Sequence, residues 1–570
     1  MKKESAFTRV AIIGAGPTAL LLLRRLVDIY QGQLEVIIFE KSNRVGAGMP
    51  YSKRGANNEH ITNISGNEIP RVLEPLEDWV KGLDQETLDR FDISATHFNA
   101  YKALPRLLFG KYLEAQFKQV LQEAKQQGMH IELQFKTTVL DIQYHANRGV
   151  TIVYQGGEQQ VDKVLICTGH HWPKRLEGRQ PNCFDSPYPP FKLAKATNYN
   201  VAIRGASLTA IDAVRTLARH NGYFYTDGDG VRQFELSSVS PRFKMTMHSR
   251  NGLLPAVRFH LEDPQLGRSA LLSKEEIDQL LIDNDGFIPL DYMYEHVFLQ
   301  SIQDKHPELY ASVKGLRMEE FVAKMLEQRE KVDPFELLQW EYEEAAKSIE
   351  SRESVYWKEI LAVLSFALNY PAKYFSAEDM RRLTTTLKPL ISLIIAFVPQ
   401  KSVEEILALH RAGVLDLVDV GDDSRVEPSG ARGVDYYYTD EDGNEVSKHF
   451  PMFVDCVGQP ALSYDDFPFA GLKANNTVVP ARIRFANPEQ GKHALEKGTK
   501  GIHKGEDDAY YLSVPGMAIN DSFQATDAYG GANAAVYLLA VPFIGGYNPD
   551  YSGLDFAEEA SLRVVKAMML

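Results

Sequence analysis

Cysteine is scarce in this sequence, which has only Cys167, Cys183 and Cys456 among its 570 residues. An odd number of cysteines with no Cys-x-x-Cys spacing supplies neither a disulfide framework nor a thiolate zinc site. Long apolar runs are lacking too, because the most apolar stretch, residues 390–398, is far shorter than the roughly 20 residues that cross a bilayer. We therefore expect no metal site, no membrane partner and a reducing compartment.

A basic excess is also missing, since 62 Lys and Arg residues stand against 76 Asp and Glu residues and give a net charge of -14 at pH 7. Nucleic acids and anionic lipid surfaces attract clustered Lys and Arg, so this balance disfavours both as main partners. The N-terminal residues lead directly into a strand pattern, without the apolar core of a signal peptide. We expect a cytoplasmic protein that acts on a small molecule.

The first forty residues have the pattern of a β-α-β unit, with strands at 9–13 and 34–40 and a helix at 19–27. The turn between the first strand and the helix has the GxGxxA pattern of a dinucleotide-binding fingerprint, formed by Gly14, Ala15, Gly16, Pro17, Thr18 and Ala19. The first glycine permits the tight turn, the second lets a pyrophosphate approach the backbone, and the alanine allows close packing of helix and strand. The alternative interpretation is a close-packed turn without a ligand.

Glu40 closes the second strand, where a carboxylate can accept hydrogen bonds from ribose hydroxyls. A 2′-phosphate would be repelled there, so FAD or NAD fits this site better than NADP; we include the adjacent Lys41 in the predicted site. The segment 44–52, which contains Gly48, Met49 and Tyr51, then favours FAD over NAD, because its small residues let the backbone lie against a flat ring or a diphosphate. Thr168 and Gly169 supply the turn that leaves the flavin domain, although each loop alone would indicate only coil.

A second unit of the same kind begins with a strand near residue 200 and is followed by a second possible nucleotide-binding turn, formed by Gly205, Ser207, Leu208 and Thr209. The next strand ends at Arg250, where a guanidinium could hold a 2′-phosphate. Ser207 stands in place of a second glycine, so the alternative is a structural lobe that does not bind nicotinamide.

These patterns predict an α/β protein with two Rossmann-like dinucleotide-binding domains, for FAD and NAD(P), and a helical insertion. Residues 1–192 and 459–570 are assigned to a discontinuous FAD domain, and residues 193–265 and 401–458 to an NAD(P)-binding-like domain. Amphipathic helical spacing at 266–400 indicates an insertion that we interpret as a lid or substrate region.

The sequence resembles the YdhS-like FAD/NAD(P)-binding proteins, relatives of the flavin-dependent N-hydroxylating monooxygenases. The resemblance rests on segments spread through most of the chain, at residues 14–18, 48–52, 63–70, 168–173, 249–255, 333–336 and 407–413. It implies that Gly14, Gly16, Pro17, Thr18 and Glu40 hold the adenosine diphosphate, and that Gly48, Met49, Tyr51, Asn63 and Ile64 approach the isoalloxazine. It further implies that residues 552–557, including Gly553 and Leu554, begin a helix that faces the flavin pyrimidine; a plain amphipathic helix is the alternative.

The function expected from these features is that of an NAD(P)H-linked flavoenzyme. A disulfide reductase needs a redox cysteine pair against the flavin, and the chain has none. We predict a flavin monooxygenase that uses FAD, NADPH (or NADH) and O2 and acts through a C4a-peroxyflavin. A flavin dehydrogenase or NAD(P)H:acceptor reductase and a non-catalytic FAD-binding redox sensor remain open, and no catalytic side chain is assigned.

Overall fold

A computed structural model describes residues 8–29, 34–262, 270–430, 432–551 and 553–569. The N-terminal part contains helices α1 (Pro17–Ile29), α2 (Leu76–Lys81), α3 (Gln85–Arg90) and α4 (Arg106–Gln126). Its strands are β1 (Thr8–Ile13), β2 (Leu34–Glu40), β3 (Ile61–Ser65), β4 (Ala103–Pro105), β5 (His130–Phe135), β6 (Val139–His145), β7 (Gly149–Tyr154), β8 (Gly157–Val161), β9 (Lys163–Ile166) and β10 (Cys183–Phe184).

The middle of the chain begins with a second mixed segment and continues into helices. The mixed segment contains β11 (Asn200–Arg204), α5 (Leu208–Asn221), β12 (Gly222–Thr226), β13 (Arg232–Leu236) and β14 (Lys244–Ser249). The helices are α6 (Lys274–Asp283), α7 (Leu290–Met293), α8 (Gln300–Lys305), α9 (Pro307–Val313), α10 (Met318–Glu330), α11 (Pro334–Ser351), α12 (Tyr356–Ala367), α13 (Ala377–Arg382) and α14 (Lys388–Ile394).

The chain then returns to both sheets. It continues with α15 (Gln400–Arg411), β15 (Leu415–Asp419), β16 (Arg425–Pro428), β17 (Val434–Thr439), β18 (Glu445–Phe450) and β19 (Met452–Asp455). The C-terminal part contains α16 (Ala470–Ala474), β20 (Pro480–Arg484), α17 (Pro488–Glu496), β21 (Ile502–Lys504), β22 (Tyr510–Met517), β23 (Gln524–Thr526), β24 (Ala532–Leu538) and α18 (Leu554–Met568).

Two sheets with the same internal plan form the centre of the fold. The strand order is β23-β24-β9-β1-β2-β5 in the first and β10-β19-β11-β14-β15 in the second. In each sheet the first strand of the β-α-β unit, β1 or β11, lies parallel between the second strand of that unit and a strand that returns much later. An antiparallel three-stranded unit, β6-β7-β8 or β16-β17-β18, precedes that returning strand. The predicted α/β class with two Rossmann-like domains and a helical insertion is confirmed.

Helix α1 shows why the first unit folds as it does. Pro17 occupies the first helical position, where its missing N–H costs nothing. The leucines of the first two turns are buried, and the helix packs between the sheet, α4 and α18. Burial of this apolar side fixes the glycine-containing turn at residues 14–16 at the carboxyl end of β1.

Two segments lie elsewhere than the predicted domain boundaries suggest. Strand β10 pairs with β19 in the second sheet, although residues up to 192 were assigned to the first domain. It pairs through only two residues, so no periodicity marks it. Within 459–570, β20, β22 and β21 form a separate sheet. Ile483 of β20 and Phe485, which directly follows β20, pack into the core of the helical insertion. No helix in the described ranges is long and apolar enough to cross a membrane.

Candidate functional site

The turn after β1 has a backbone that requires glycine at its first position. Gly14 has φ +98°, and a Cβ there would lie 2.8 Å from the carbonyl oxygen of Cys167, at the end of the neighbouring strand. The Gly14 N–H donates to the carbonyl of Phe39 at 2.8 Å. The turn is therefore held by both strands beside β1, and a side chain would strain the backbone and collide with it.

Gly16 faces Gly48 across this turn. A Cβ on Gly16 would lie 3.5 Å from the Gly48 Cα, and a Cβ on Gly48 would lie 2.9 Å from the Cδ of Pro17. The N–H of Gly46 donates to the carbonyl of Ala15 at 2.7 Å, which ties the loop after β2 to the turn. The first turn and the loop around Gly48, both predicted to bind the cofactor, therefore lie against each other without intervening side chains. They meet beside the start of α1, which continues with Thr18 and the buried Ala19.

Glu40 lies at the end of β2 with its carboxylate turned toward the same turn. It accepts hydrogen bonds from the N–H of Ala15 at 3.0 Å and from the N–H of Ser42 at 2.7 Å. A carboxylate has about four acceptor positions, so capacity for ribose hydroxyls remains. Lys41 is exposed.

The predicted ring-binding residues border the interface with the second domain. Tyr51, which follows Met49 and Pro50, lies edge-on to Phe109 at 4.9 Å, and burial raises its pKa. Asn63 and Ile64 belong to β3, whose next residues form a short turn. The hydroxyl of Thr168 is buried without a hydrogen-bond partner in the described structure, and a Cβ on Gly169 would meet open space. An orphaned hydroxyl beside open space, together with the bare backbone at Gly16 and Gly48, fits a bound dinucleotide.

Helix α18 begins beside these loops. Gly553 is its N-cap with φ +105°, and Leu554 is buried in the core of the first domain; Ser552 lies outside the described residues. Asp555 stands in the first turn, where a helix N-terminus ordinarily favours a carboxylate. Burial nevertheless raises the pKa of Asp555 to about 7, and the nearby Asp550 adds to the effect.

We expect Asp555→Asn to stabilise the apoprotein at pH 8 and to change it little at pH 4. A raised carboxyl pKa means that the folded chain holds its proton more tightly, so stability falls as the pH rises from near the ordinary value of 3.8 to about 7. Allowing for solvent screening, the gain at pH 8 should be about 1 to 3 kcal/mol. Urea unfolding at both pH values measures it, with the exposed Asp423→Asn as the matched control. An equal gain in stability at pH 4 and pH 8 would contradict the raised pKa of Asp555.

A buried polar cluster that the sequence did not predict joins the two domains. Arg106, the first residue of α4, donates to the carboxylate of Asp212 in α5, and the hydroxyl of Tyr188 donates to the same carboxylate at 2.6 Å. Burial opposes ionisation of Asp212, but Arg106, His60 and the Tyr188 hydroxyl together outweigh it and hold the Asp212 pKa below its ordinary value. His60 lies beside this pair, with its Nε2 3.1 Å from the hydroxyl of Thr216.

Arg258 forms a second junction across the same interface. Its guanidinium donates to the carbonyl of Asn63, to the carboxylate of Glu68 and, at 2.7 Å, to the hydroxyl of Ser65. The side chains of Arg258 and Glu68 are 8% and 3% exposed, so both charges are buried. Arg258, which belongs to the second domain, therefore holds in place the segment of the first domain that contains Asn63 and Ile64, the residues predicted to approach the flavin.

The second turn repeats the geometry of the first. Gly205 has φ +105°, a Cβ there would lie 2.8 Å from the carbonyl oxygen of Cys456, and its N–H donates to the carbonyl of His248 at 2.8 Å. Ser207 is the N-cap of α5, but its side chain makes no capping hydrogen bond. Leu208 opens the helix, and the Thr209 hydroxyl would lie 3.8 Å from a Cβ on Gly458. The second turn thus repeats the backbone geometry of the first, although the second glycine is absent.

Arg250 directly follows β14, at the carboxyl edge of the second sheet. Its side chain is 72% exposed, and its Nη1 lies 3.6 Å from an Asp422 oxygen that is itself exposed. His248, two residues earlier, stacks on Tyr436 at 4.1 Å, and burial lowers its pKa to about 4. In the described part of the chain, no group of three His, Cys, Asp or Glu residues could hold a metal ion.

Comparisons with known proteins agree with this architecture. Residues 11–171 match the FAD-NAD(P)-binding family model, and residues 273–395 match the YdhS-like middle domain. The protein YdhS of Escherichia coli (strain K12) is 27% identical over 469 residues, which cover 82% of this chain and 86% of that protein.

Two solved structures are similar over almost the whole chain. One is the ornithine N-hydroxylase of Kutzneria sp. 744, with a TM-score of 0.46, 11% identity and 99% of each chain covered. The other is the L-lysine 6-monooxygenase of Pseudomonas syringae, with a TM-score of 0.45, 11% identity and 98% of each chain covered. The family matches confirm the predicted cofactor class, FAD and NAD(P). The chain carries an FAD-NAD(P)-binding domain and a YdhS-like middle domain, as its sequence resemblance predicts.

Proposed function

We propose that the protein is an FAD-dependent, NAD(P)H-linked oxidoreductase that acts as a flavin monooxygenase on a small molecule. The observation that carries the choice of acceptor is the state of the cysteines. All three are buried and free, and burial raises the pKa of Cys167 to about 12 and that of Cys183 to about 11. Protonated, buried thiols cannot exchange with a disulfide, which leaves oxygen and organic acceptors.

The residues proposed to hold FAD are those that meet around the first turn. Gly14 would hold the tight turn, Gly16 would offer its backbone N–H to the pyrophosphate, and Glu40 would accept from the ribose. Bound FAD supplies hydride acceptance from NAD(P)H and electron transfer to oxygen. Thr168 and Gly169 would line the cofactor on the side of β9.

The start of α18 and the interdomain cluster would set the electrostatics of the ring site. A helix N-terminus stabilises negative charge of the kind that develops on a reduced flavin. When Asp555 is protonated, the positive end of the α18 dipole acts on the ring at full strength. When Asp555 is ionised, its negative charge offsets part of that effect. The burial of Arg106 and Asp212 at the interface would keep water from the ring.

The second turn is proposed to bind NADPH, with Arg250 as the selective contact. A charge-assisted contact is worth on the order of 1.5 to 3 kcal/mol, or roughly 10- to 150-fold in binding. We expect Arg250→Ala to weaken NADPH by about that factor and to leave NADH nearly unchanged, as measured by anaerobic reduction at varied nucleotide concentration. Equal losses for both nucleotides would assign Arg250 a structural role.

The test of the function is an absorbance spectrum of the purified protein, followed by titration with NADPH and NADH without oxygen. Bound FAD that is reduced by a nicotinamide and reoxidised by O2 is the expected result. Reoxidation by a quinone but not by O2 would favour an NAD(P)H:acceptor reductase. A flavin that neither nucleotide reduces would favour a non-catalytic FAD-binding protein.

A further inference from the structure

A cleft of about 280 Å³ lies where the helical insertion meets the C-terminal part of the chain. The insertion contributes the turn at Gly286 and Phe287 and the segment 373–375. The opposite wall comes from β20, from β22 and from the segment around β23. None of the residues predicted to bind FAD or NAD(P) lines it, so this cleft is a separate feature of the molecule.

The lining of the cleft is basic, in contrast to the acidic chain. Lys373, Arg482 and Arg484 line it together with one carboxylate, that of Asp527. The Lys373 ammonium already has a partner, because it lies 2.7 Å from a carboxylate oxygen of Asp521. The two arginines therefore carry the available positive charge.

Arg482 and Arg484 stand two residues apart on β20, so their side chains project from the same side of the strand. The guanidinium of Arg482 lies 4.2 Å from the ring centre of Tyr511, and that of Arg484 lies 4.9 Å from the ring centre of Phe287. Contacts of this kind hold the guanidinium while its N–H donors remain free to bind in its plane. One N–H of Arg482 is used, because its Nη2 donates to the carbonyl of Ala528 at 3.2 Å.

The carboxylates near these arginines are engaged elsewhere. Asp527 accepts from the backbone N–H groups of Tyr529 at 2.9 Å and Gly531 at 2.8 Å. Asp507 accepts from the hydroxyl of Tyr511 at 2.5 Å. Neither guanidinium forms an ion pair with any residue that the structure describes. Two guanidinium groups that line a partly aromatic cleft thus lack an anionic partner in the described structure.

We propose that this cleft binds a small anionic ligand through a carboxylate or phosphate group held by Arg482 and Arg484. Paired guanidinium groups match the planar, multidentate acceptors of both anions. The rings of Phe287, Tyr511 and Tyr547 border the same space and would contact the body of the ligand. The cleft volume lies just below the usual range for ligand pockets, which suits a compact molecule. This site extends the proposed function without depending on it, because binding does not require electron transfer.

The test uses the full chain with its flavin and two probes, inorganic phosphate and benzoate, at constant ionic strength. Isothermal titration measures binding of each probe to the wild-type protein, to Arg484→Gln and to the double variant Arg482→Gln/Arg484→Gln. Arg484→Gln is the variant that should change binding without disturbing the fold, because Arg484 is exposed and makes no hydrogen bond to the backbone of the described chain. The exposed Arg317→Gln is the matched control, and Arg250→Ala reports on binding at the second nucleotide turn.

We expect at least one probe to bind, a roughly 10-fold loss with Arg484→Gln, a larger loss with the double variant, and no change with the control. Binding of benzoate alone would assign a carboxylate ligand, and binding of phosphate alone a phosphate ligand. The proposal is overturned if neither probe binds, if both cleft variants bind as the wild type does, or if only Arg250→Ala removes binding. Flavin reduction by NADPH, measured on the same samples, reports separately on the proposed function.

Discussion

Gly16→Val should yield a folded protein that no longer binds FAD. The first carbon of the new side chain fits, because it would lie 3.5 Å from Gly48 Cα, an ordinary contact distance. The remaining methyl groups would occupy the space beside the turn that a pyrophosphate must enter. The variant is expected to purify without the absorbance of bound flavin and to resist reconstitution with FAD.

A graded series separates loss of binding from loss of folding. Gly16→Ala adds one carbon and should weaken FAD less than valine does. Gly315→Val is the control, because a Cβ on Gly315 meets open space and the residue lies outside the candidate site. Circular dichroism of the apoproteins reports the fold. Full flavin content in Gly16→Val would show that this turn does not hold the cofactor.

Arg258→Ala is expected to lower the free energy of unfolding by about 3 to 5 kcal/mol, because it leaves the buried Glu68 carboxylate without its cationic partner. The variant should also bind FAD more weakly, since the Asn63 carbonyl and the Ser65 hydroxyl lose the donor that fixes their loop. Urea unfolding of the apoprotein and titration with FAD measure the two effects.

Both charges of the buried Arg258–Glu68 ion pair can be removed in one double variant. Arg258→Met combined with Glu68→Leu should recover much of the lost stability, because apolar residues of similar size often replace a buried ion pair at little cost. Arg317→Ala, which removes an exposed partner of Glu320, should cost no more than about 1 kcal/mol. If the double variant is as unstable as Arg258→Ala, the guanidinium acts through packing rather than through its charge.

The parts of the fold that were predictable from sequence are those that local patterns specify. The strand at 34–40 and the glycines of the first turn follow from hydrophobic runs and from backbone conformations that only glycine adopts readily. In these segments each signal lies within a few residues of the structure it specifies.

The interdomain contacts were not predictable, because their partners lie far apart in the chain. Arg106 and Asp212 are 106 residues apart, and Arg258 and Glu68 are 190 apart. An isolated Arg or Asp has the sequence signature of a solvated residue, and only the tertiary fold turns it into a buried partner. The two Rossmann-like units were predicted, but the antiparallel three-stranded unit that precedes the returning strand in each was not, because this arrangement repeats while its sequence does not.

The helical insertion is attached to both nucleotide-binding domains. The side chain of Asn369 donates to the carbonyl of Asp550 at 2.6 Å, near the start of α18. On the other side the hydroxyl of Tyr342 in α11 donates to the carboxylate of Glu404 in α15 at 2.8 Å. A hinge rotation of one domain against the other would have to bend the helical insertion or break these two hydrogen bonds. The three parts should therefore show one cooperative unfolding transition and little independent domain motion.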